Sequence, residues 1–423
     1  MRCIGQGLEP LKTFCEIMDL DSPVMQKTYD RIYNLINTAT KMTAIESMKN
    51  AAAEEVSLSN STDISVSGDG TWKTRGHTSQ IGVCTVIGAE SGKVIDVEVL
   101  SVACKGCELW KGPRSGEAFD EWLETHSRTC RRNHFRSSAK MEADGMVKIF
   151  QRSQSARGVR YINYIGDGDS KTFLSITESK PYEGVTVSKL ECVGHIQKRM
   201  GTRLRKLKAD YKGRKLSDGK SLSGKGRLTD SAISRLSLYY GNAIRQHADS
   251  LKDMRNAIWA LYFHTRSTDS DPLHTFCPTG ESSWCKYQIA SKTLPLTVMD
   301  VIKPVFNSLS HPDLLKRCLG AHTQNPNESL NSLIWQICPK TSGSGRIISE
   351  IAVHEAVTLF NDGRKGRLST LRYLNIYPGI NCITAQFRSD YKRVTSSKKR
   401  VIARTIDARR AKRHAKLHEI KDL

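Results

Sequence analysis

Apolar residues recur at helical spacing through Pro23 to Thr38 and again through Ala44 to Val56, and the polar stretch Ser57 to Thr62 closes the pattern. The first 58 residues are therefore expected to be helical. Beyond them the period shortens to two. Ile64-Ser65-Val66 runs into Gly68-Asp69-Gly70, and two β-branched runs, Ile81 to Ile87 and Val94 to Val102, flank the turn Gly88 to Lys93; this predicts a strand followed by a hairpin. A Cys- and His-rich stretch follows from Cys104 to His134. Then come a helix from about Ala139 to Ala156, a strand at Val159 to Ile165, the turn Gly166-Asp167-Gly168-Asp169, a helix from near Ser170 and a short strand at Val185 to Val187. Residues 196–320 read mostly as positively charged helices, and Glu328 to Ile337 as one more helix. No repeat of 20 to 50 residues is visible, which sets aside solenoids and propellers.

Strand, hairpin, helix, strand, helix, strand is the order of a ribonuclease H-like α/β fold. The expected architecture is a mixed sheet with helices, interrupted by a Cys/His zinc-type insertion and a long helical insertion. Five regions follow: an N-terminal helical region (1–58), a first part of the core (59–195) carrying the Cys/His insertion 104–134, a basic helical insertion (196–320), the last part of the core (321–385) and a basic C-terminal tail (386–423).

Composition narrows the function. With 423 residues, 38% of them apolar and only 12 prolines, the chain is long enough for one large core or two to three domains. No apolar run approaches the roughly 20 residues needed to span a bilayer, and Met1 to Pro10 lacks the apolar centre of a signal peptide. Neither a membrane partner nor secretion is expected, so the 12 cysteines read as reduced thiols available to metal. The formal net charge of +22 points to a polyanionic partner. It is concentrated: Lys198 to Arg227 holds twelve Lys or Arg against two Asp, and Lys392 to Lys416 holds eleven against Asp407 alone. Both runs are expected to lie along the DNA backbone, with Lys198, Arg199, Arg203, Arg205, Lys206 and Lys208 the candidate contacts in the first; a solvated face or a ribosomal or nuclear-import tail is the alternative for the second.

Phosphoryl transfer on DNA asks the protein mainly to hold two divalent ions roughly 4 Å apart, so carboxylates must converge from separate elements. Asp69 sits between two glycines at the end of the first predicted strand, where the glycines are expected to leave room for a metal and a backbone. Asp167 and Asp169 follow the strand Val159 to Ile165, and Glu328 opens a helix. Taken singly each has an ordinary reading, since Gly-Asp-Gly is a common turn and an acid in a first helical turn complements the macrodipole. Their joint order on these elements is what singles them out.

Four segments carry a family resemblance: Ser67-Gly-Asp-Gly-Thr-Trp72, Tyr164-Ile-Gly-Asp-Gly-Asp-Ser-Lys-Thr-Phe173, Cys192-Val-Gly-His195 and Asn327-Glu-Ser-Leu-Asn-Ser-Leu-Ile-Trp335. Together they resemble the Mutator-like transposases in the form found in animal genomes, over most of the chain from Gly5 to about Pro378. The resemblance implies a ribonuclease H-like fold with a helical insertion before the last acid, and an enzyme that cuts and joins transposon ends with an Asp, Asp, Glu set and Mg2+ or Mn2+. It further implies double-stranded DNA as partner, at transposon ends and target, a nuclear location and a homodimer or higher oligomer. Carried over by position, the first Asp is Asp69 and the Glu is Glu328. Asp167 is preferred as the second because it follows a small residue at the strand end; Asp169, better spaced from Phe173 and Leu174, is the alternative. Cys192 and His195 match the family's Cys-x-x-His and imply a role near the active site or in positioning DNA, although two ligands alone do not close a zinc site.

Cys104 and Cys107 with His126 and Cys130 give a stronger metal signal, a knuckle-like pair followed by two ligands on one side of a helical turn; His134 is the alternative fourth ligand. His264, His274, Cys277 and Cys285 are more loosely spaced and read partly as core residues. The sequence thus supports a metal-dependent transposase. A DNA-binding protein derived from such an enzyme and no longer catalytic is the alternative, and a nuclease acting on RNA hybrids fits the long basic insertion less well. Recognition of the terminal repeats would fall to Met1 to Val56 and the basic stretches, or the chain is a truncated gene product.

Overall fold

The structure, a computed structural model, describes residues 7–74, 78–113, 115–167, 170–278, 285 and 293–403. In chain order its elements are α1 (Leu8–Ile17), α2 (Gln26–Ser59), β1 (Asp63–Trp72), β2 (Ile81–Gly88), β3 (Val94–Ser101), α3 (Lys105–Leu109), α4 (Glu117–Ser127), α5 (Met141–Arg157), β4 (Arg160–Gly166), α6 (Ser170–Glu178), β5 (Ser188–Glu191), α7 (Val193–Asp210), α8 (Asp230–Gln246), α9 (Leu251–Arg266), α10 (Leu296–Leu309), α11 (Pro312–Lys316), α12 (Asn325–Ile337), α13 (Arg346–Asp362), α14 (Gly366–Tyr373) and α15 (Ile380–Ala403). The strands form one sheet in the order β3-β2-β1-β4-β5, with β1, β2 and β3 antiparallel and β4 and β5 parallel to β1. This is the ribonuclease H-like mixed sheet expected from the order of elements.

Alternation along the strands splits the core into two layers. Ile64, Val66, Cys84, Val86 and Leu100 face Met146, Ile149 and Phe150 of α5, whereas Ile81, Val83, Val97 and Val99 pack under Met48, Leu330, Ile334 and Val353 of α2, α12 and α13. A register shift opposite Val86 and Ile87 leaves Ile95 of β3 unpaired and turns it into the α5 layer, while Val94 joins the second. Charges fix the same packing. Asp96 of β3, 1% exposed, accepts from Arg152 at 2.8 Å and Arg157 at 3.3 Å of α5, so its burial is compensated. Glu55 of α2 is fully buried and accepts the backbone N–H groups of Glu90 and Ser91, capping the β2–β3 turn.

The structure departs from the sequence pattern in three places. The two N-terminal helices are one continuous α2, because Thr40 and Thr43 direct their hydroxyls onto the helix's own carbonyls of Ile36 and Ala39 at 2.9 Å and do not interrupt it. The last strand is Ser188–Glu191 rather than Val185 to Val187: the valines pack against the core, and the ladder with β4 forms on the more polar residues after them. Helix α12 starts at Asn325, ahead of Glu328.

Residues from Val193 to Cys318 share a separate apolar core built on Met200, Leu204, Leu236, Tyr240, Ile258 and Phe306. By contrast, α15 buries none of its residues and runs across position 385, into the region read from the sequence as a tail. The tail's remaining residues, 404–423, lie outside those described.

Helix α12 lies along β1 through a row of polar side chains. Gln324 donates to the Gly68 carbonyl at 2.8 Å, Asn327 accepts from the Ser67 hydroxyl and donates to the Ser67 carbonyl and the Thr85 hydroxyl, Asn331 donates to Asp69 at 2.7 Å, and Trp335 donates to Thr71 at 2.9 Å. Asn327 is fully buried, so its loss leaves the Ser67 hydroxyl without its partner and Thr85 with only its 3.4 Å bond to the Asp69 carbonyl. Asn327→Ala is expected to cost about 2 kcal/mol and to lower the melting temperature with unchanged far-ultraviolet dichroism; an unchanged melting temperature would mean that the apolar face alone holds α12.

Candidate active site

The site lies where the parallel pairing of β1 with β4 ends; β4 stops at Gly166, but β1 continues past Asp69 to Trp72 beside β2, so Asp69 is inside its strand and not at the end expected from the sequence. Their parallel register last pairs Ser67 with Ile165, and Asp69, within β1, and Asp167, the first residue past β4, each stand two residues further on. Asp69 is half-buried and Asp167 exposed. Glu328 stands exposed in the first turn of α12, the helix that the polar row lays across β1. The three carboxylates come from three elements and feel one another. Burial pushes the Asp69 carboxyl up to about 6, and the charges of Asp167 and Glu328 push the same way, against hydrogen bonds from Asn331 and the Gly70 backbone. Asp169 lies outside the described residues.

The glycines around Asp69 serve a purpose other than the one expected. A Cβ on Gly68 would sit 2.4 Å from the Tyr164 ring, and one on Gly70 would sit 2.7 Å from Glu142 Cγ. The space is thus filled by side chains of β4 and α5 and not left open for an ion. Tyr164, 2% exposed, also lies 2.4 Å from where a Gly166 Cβ would be, so one buried ring requires glycine on both strands beside the acids.

His195 and Cys192 go separate ways. Cys192 is 3% exposed at the N-cap of α7, while the His195 ring, one turn on, brings Nδ1 to 2.9 Å from Asp167 Oδ1. From there α7 carries its cations away from the acids, and Asp167, His195, Lys198, Arg199, Thr202 and Arg203 line one shallow cavity. The six candidate DNA contacts are not equivalent. Arg199 is paired with buried Glu191 at 3.2 Å and Lys208 with Asp230 at 3.1 Å, whereas Lys198, Arg203, Arg205 and Lys206 are exposed and make no ion pair among the described residues.

Both Cys/His sets assemble. Cys104, Cys107, His126 and Cys130 bring their ligand atoms within 4.8 Å of one another, with His126 Nε2 3.4 Å from Cys104 Sγ and 3.2 Å from Cys107 Sγ. Trp122 stacks on the His126 ring at 4.4 Å and fixes its orientation. Burial acts to raise the Cys104 thiol, but backbone N–H groups of Arg131, Cys107 and Gly106 together with Cys130 hold it down to about 6, which favours the thiolate a metal needs. His134, the alternative ligand, is instead buried against Asp144 and the Ser137 carbonyl. The looser set, His264, His274, Cys277 and Cys285, also lies within 4.8 Å and is only half-buried, so these are not core residues.

Sequence reasoning missed Gln324, Asn327 and Asn331. Their signal was present as amides at helical spacing around Glu328, on the face opposite the solvent.

A five-stranded mixed sheet of this order, with an acid on β1 and another just past β4, is of the ribonuclease H-like class. A family model described as Mutator-like transposase matches residues 1–285, and the chain belongs to that family of DNA-processing proteins. The match ends at Cys285, so α12 and Glu328 lie beyond it. No curated protein and no solved structure matches the chain.

The raised Asp69 carboxyl has a consequence for stability. Folded protein holds a proton up to about pH 6 that the unfolded chain, with a carboxyl near 3.8, has already released. Stability therefore falls as pH rises between these values and levels off above them. Asp69→Asn removes the fall, and in chelator at pH 7 it is expected to be more stable than wild type by about 1–2 kcal/mol after allowance for screening. Melting curves from pH 4 to 7.5 check this; parallel profiles for the two proteins would show that the Asp69 carboxylate is well solvated.

Proposed function

We propose that the protein is a DNA transposase that cuts and joins strands at transposon ends with Asp69, Asp167 and Glu328 as its metal-holding acids. The observation that carries this is the crowding at Asp69: a desolvated carboxylate, facing two further acids, is poorly stable alone and well matched to divalent cations. The side-chain oxygen of Asn331, whose Nδ2 donates to Asp69, is buried with no hydrogen-bond partner among the described residues. Mg2+ or Mn2+ held there would supply activation of the attacking oxygen and stabilisation of the leaving one. The chain's own part is positional. Asn331 fixes the Asp69 carboxylate, the polar row keeps Glu328 over the strand ends, and His195, beside Asp167, sits where a proton can pass to or from a DNA oxygen. The cations of α7 lead the duplex backbone to these acids, and the enzyme works in the nucleus, as a dimer or larger assembly holding two ends. Zinc at Cys104, Cys107, His126 and Cys130 supports an insertion in which no described residue from 105 to 130 is buried, and which therefore has no core of its own.

Cleavage of a supercoiled plasmid carrying the element's own ends, with and without Mg2+, tests the reading. Asp69→Ala, Asp167→Ala and Glu328→Gln are each expected to abolish cleavage while duplex binding persists. Full activity in the Asp69 or Glu328 variant removes the assignment, and Asp169→Ala alone being inactive would transfer the second position to Asp169. A wild type that binds the ends tightly and never cuts them would identify a silent DNA-binding descendant.

The role of α7 is tested by salt. Replacing Lys198, Arg203, Arg205 and Lys206 with Ala is expected to weaken binding to all duplexes alike and to flatten the log-log salt dependence by about 0.9 for each phosphate no longer neutralised. Superimposed titrations of wild type and variant would exclude this helix from the DNA path.

A further inference from the structure

The second Cys/His set lies far along the chain from the acids, in the helical insertion, and the transposase chemistry makes no use of it. Its surroundings are unusual. Helix α9 ends at Arg266, the chain departs, and it returns at Leu294, whose N–H donates to the Thr265 carbonyl at 2.9 Å. Departure and return thus fall within one helical turn. From residue 268 to 278 no side chain is buried, and the apolar tie to the helix in this stretch is Phe276 stacked on Phe263 at 5.6 Å, itself 45% exposed. A strap with so little apolar burial does not hold one conformation by packing alone.

Four ligand atoms converge on its base. His264 comes from the last turn of α9, and His274, Cys277 and Cys285 come from the strap. The two imidazole Nδ1 atoms are 3.3 Å apart, and each sulfur lies 3.4 to 3.7 Å from both of them. Ligands at zinc-bond lengths on a tetrahedron stand about 3.3 Å apart for two nitrogens and about 3.5 Å for nitrogen and sulfur, so the four atoms already have that spacing. The ring nitrogen of His274 that faces away, Nε2, is 2.9 Å from Ser267 Oγ, the outer hydrogen bond that fixes a ligating tautomer and leaves Nδ1 as the donor atom. Two thiolates and two imidazoles suit zinc and not Mg2+ or Ca2+.

We propose that His264, His274, Cys277 and Cys285 bind a structural zinc ion that staples the strap to the end of α9. The staple also completes a cavity. Thr275 and Phe276, the two residues between the ligands His274 and Cys277, close one wall of a space of about 690 Å³ between α8 and α9 whose other walls include Tyr239, Asn242, Gln246 and Asn256. The metal thereby sets the shape of this cavity, independently of the Asp69 site and of the Cys104 knuckle.

Zinc content of the full-length protein, purified without chelator, tests this. Wild type is expected to hold two zinc ions per chain, Cys104→Ser one, and Cys277→Ser with Cys285→Ser one. Cys285→His, which keeps a four-ligand set, should retain both ions. Cobalt substitution should show thiolate charge-transfer absorption that falls by two of five sulfurs in the Cys277/Cys285 variant. Limited proteolysis supplies a readout that does not require the variants to fold: in wild type, chelation is expected to expose residues 268–278 to cleavage. The proposal is overturned if wild type and the Cys277/Cys285 variant contain equal zinc, if Cys104→Ser leaves none, or if chelator does not change cleavage within the strap.

Discussion

Everything around the site depends on how α12 is held against β1. Four side chains on one face of that helix, Gln324, Asn327, Asn331 and Trp335, bond in succession to Gly68, Ser67, Asp69 and Thr71. The bonds are buried or half-buried, so each is directional and expensive to leave unmade. Apolar contacts of Leu330 and Ile334 would hold the helix near the sheet without fixing its position along the strand. The polar row fixes that position, and with it the place of Glu328 relative to Asp69. One constraint thus couples a helix late in the chain to the first strand, across the whole helical insertion that separates them in sequence.

That constraint holds a destabilising arrangement. Asp69 is desolvated and repelled by Asp167 and Glu328, an arrangement that costs folding free energy and is tolerated because the packing beneath it is rigid. Tyr164 underlies the strand ends and admits only glycine at positions 68 and 166, which brings β1 and β4 close and their acids level. Stability supplied elsewhere, by Asp96 with Arg152 and Arg157 and by Glu55 beneath the hairpin, belongs to the same sheet.

The two Cys/His sets illustrate another solution to small size. The stretch from 105 to 130 and the strap from 268 to 278 bury no described side chain, so neither can fold by exclusion of water. Each instead converges four soft ligands within 4.8 Å. The regular spacing of the first made it visible in the sequence, whereas the second draws one ligand from a helix and three from a strap, and no fixed interval marks it.

The sequence by itself determined the mixed-sheet fold class and the family. Period-two runs at 81–87 and 94–102 became β2 and β3 nearly to the residue, because strands buried on both faces leave little choice of register. Asp69, Asp167, Glu328 and His195 could be singled out in the sequence as residue types on particular elements. Tertiary structure alone decided what surrounds them. That the glycines accommodate Tyr164 and Glu142, that Cys192 turns inward while His195 meets Asp167, and that Arg199 is committed to Glu191 all follow from contacts between elements remote in sequence. Local pattern records which residues prefer burial or charge, but which of them meet depends on how the sheet and α12 bring distant segments together, and that information is carried by packing and not by spacing.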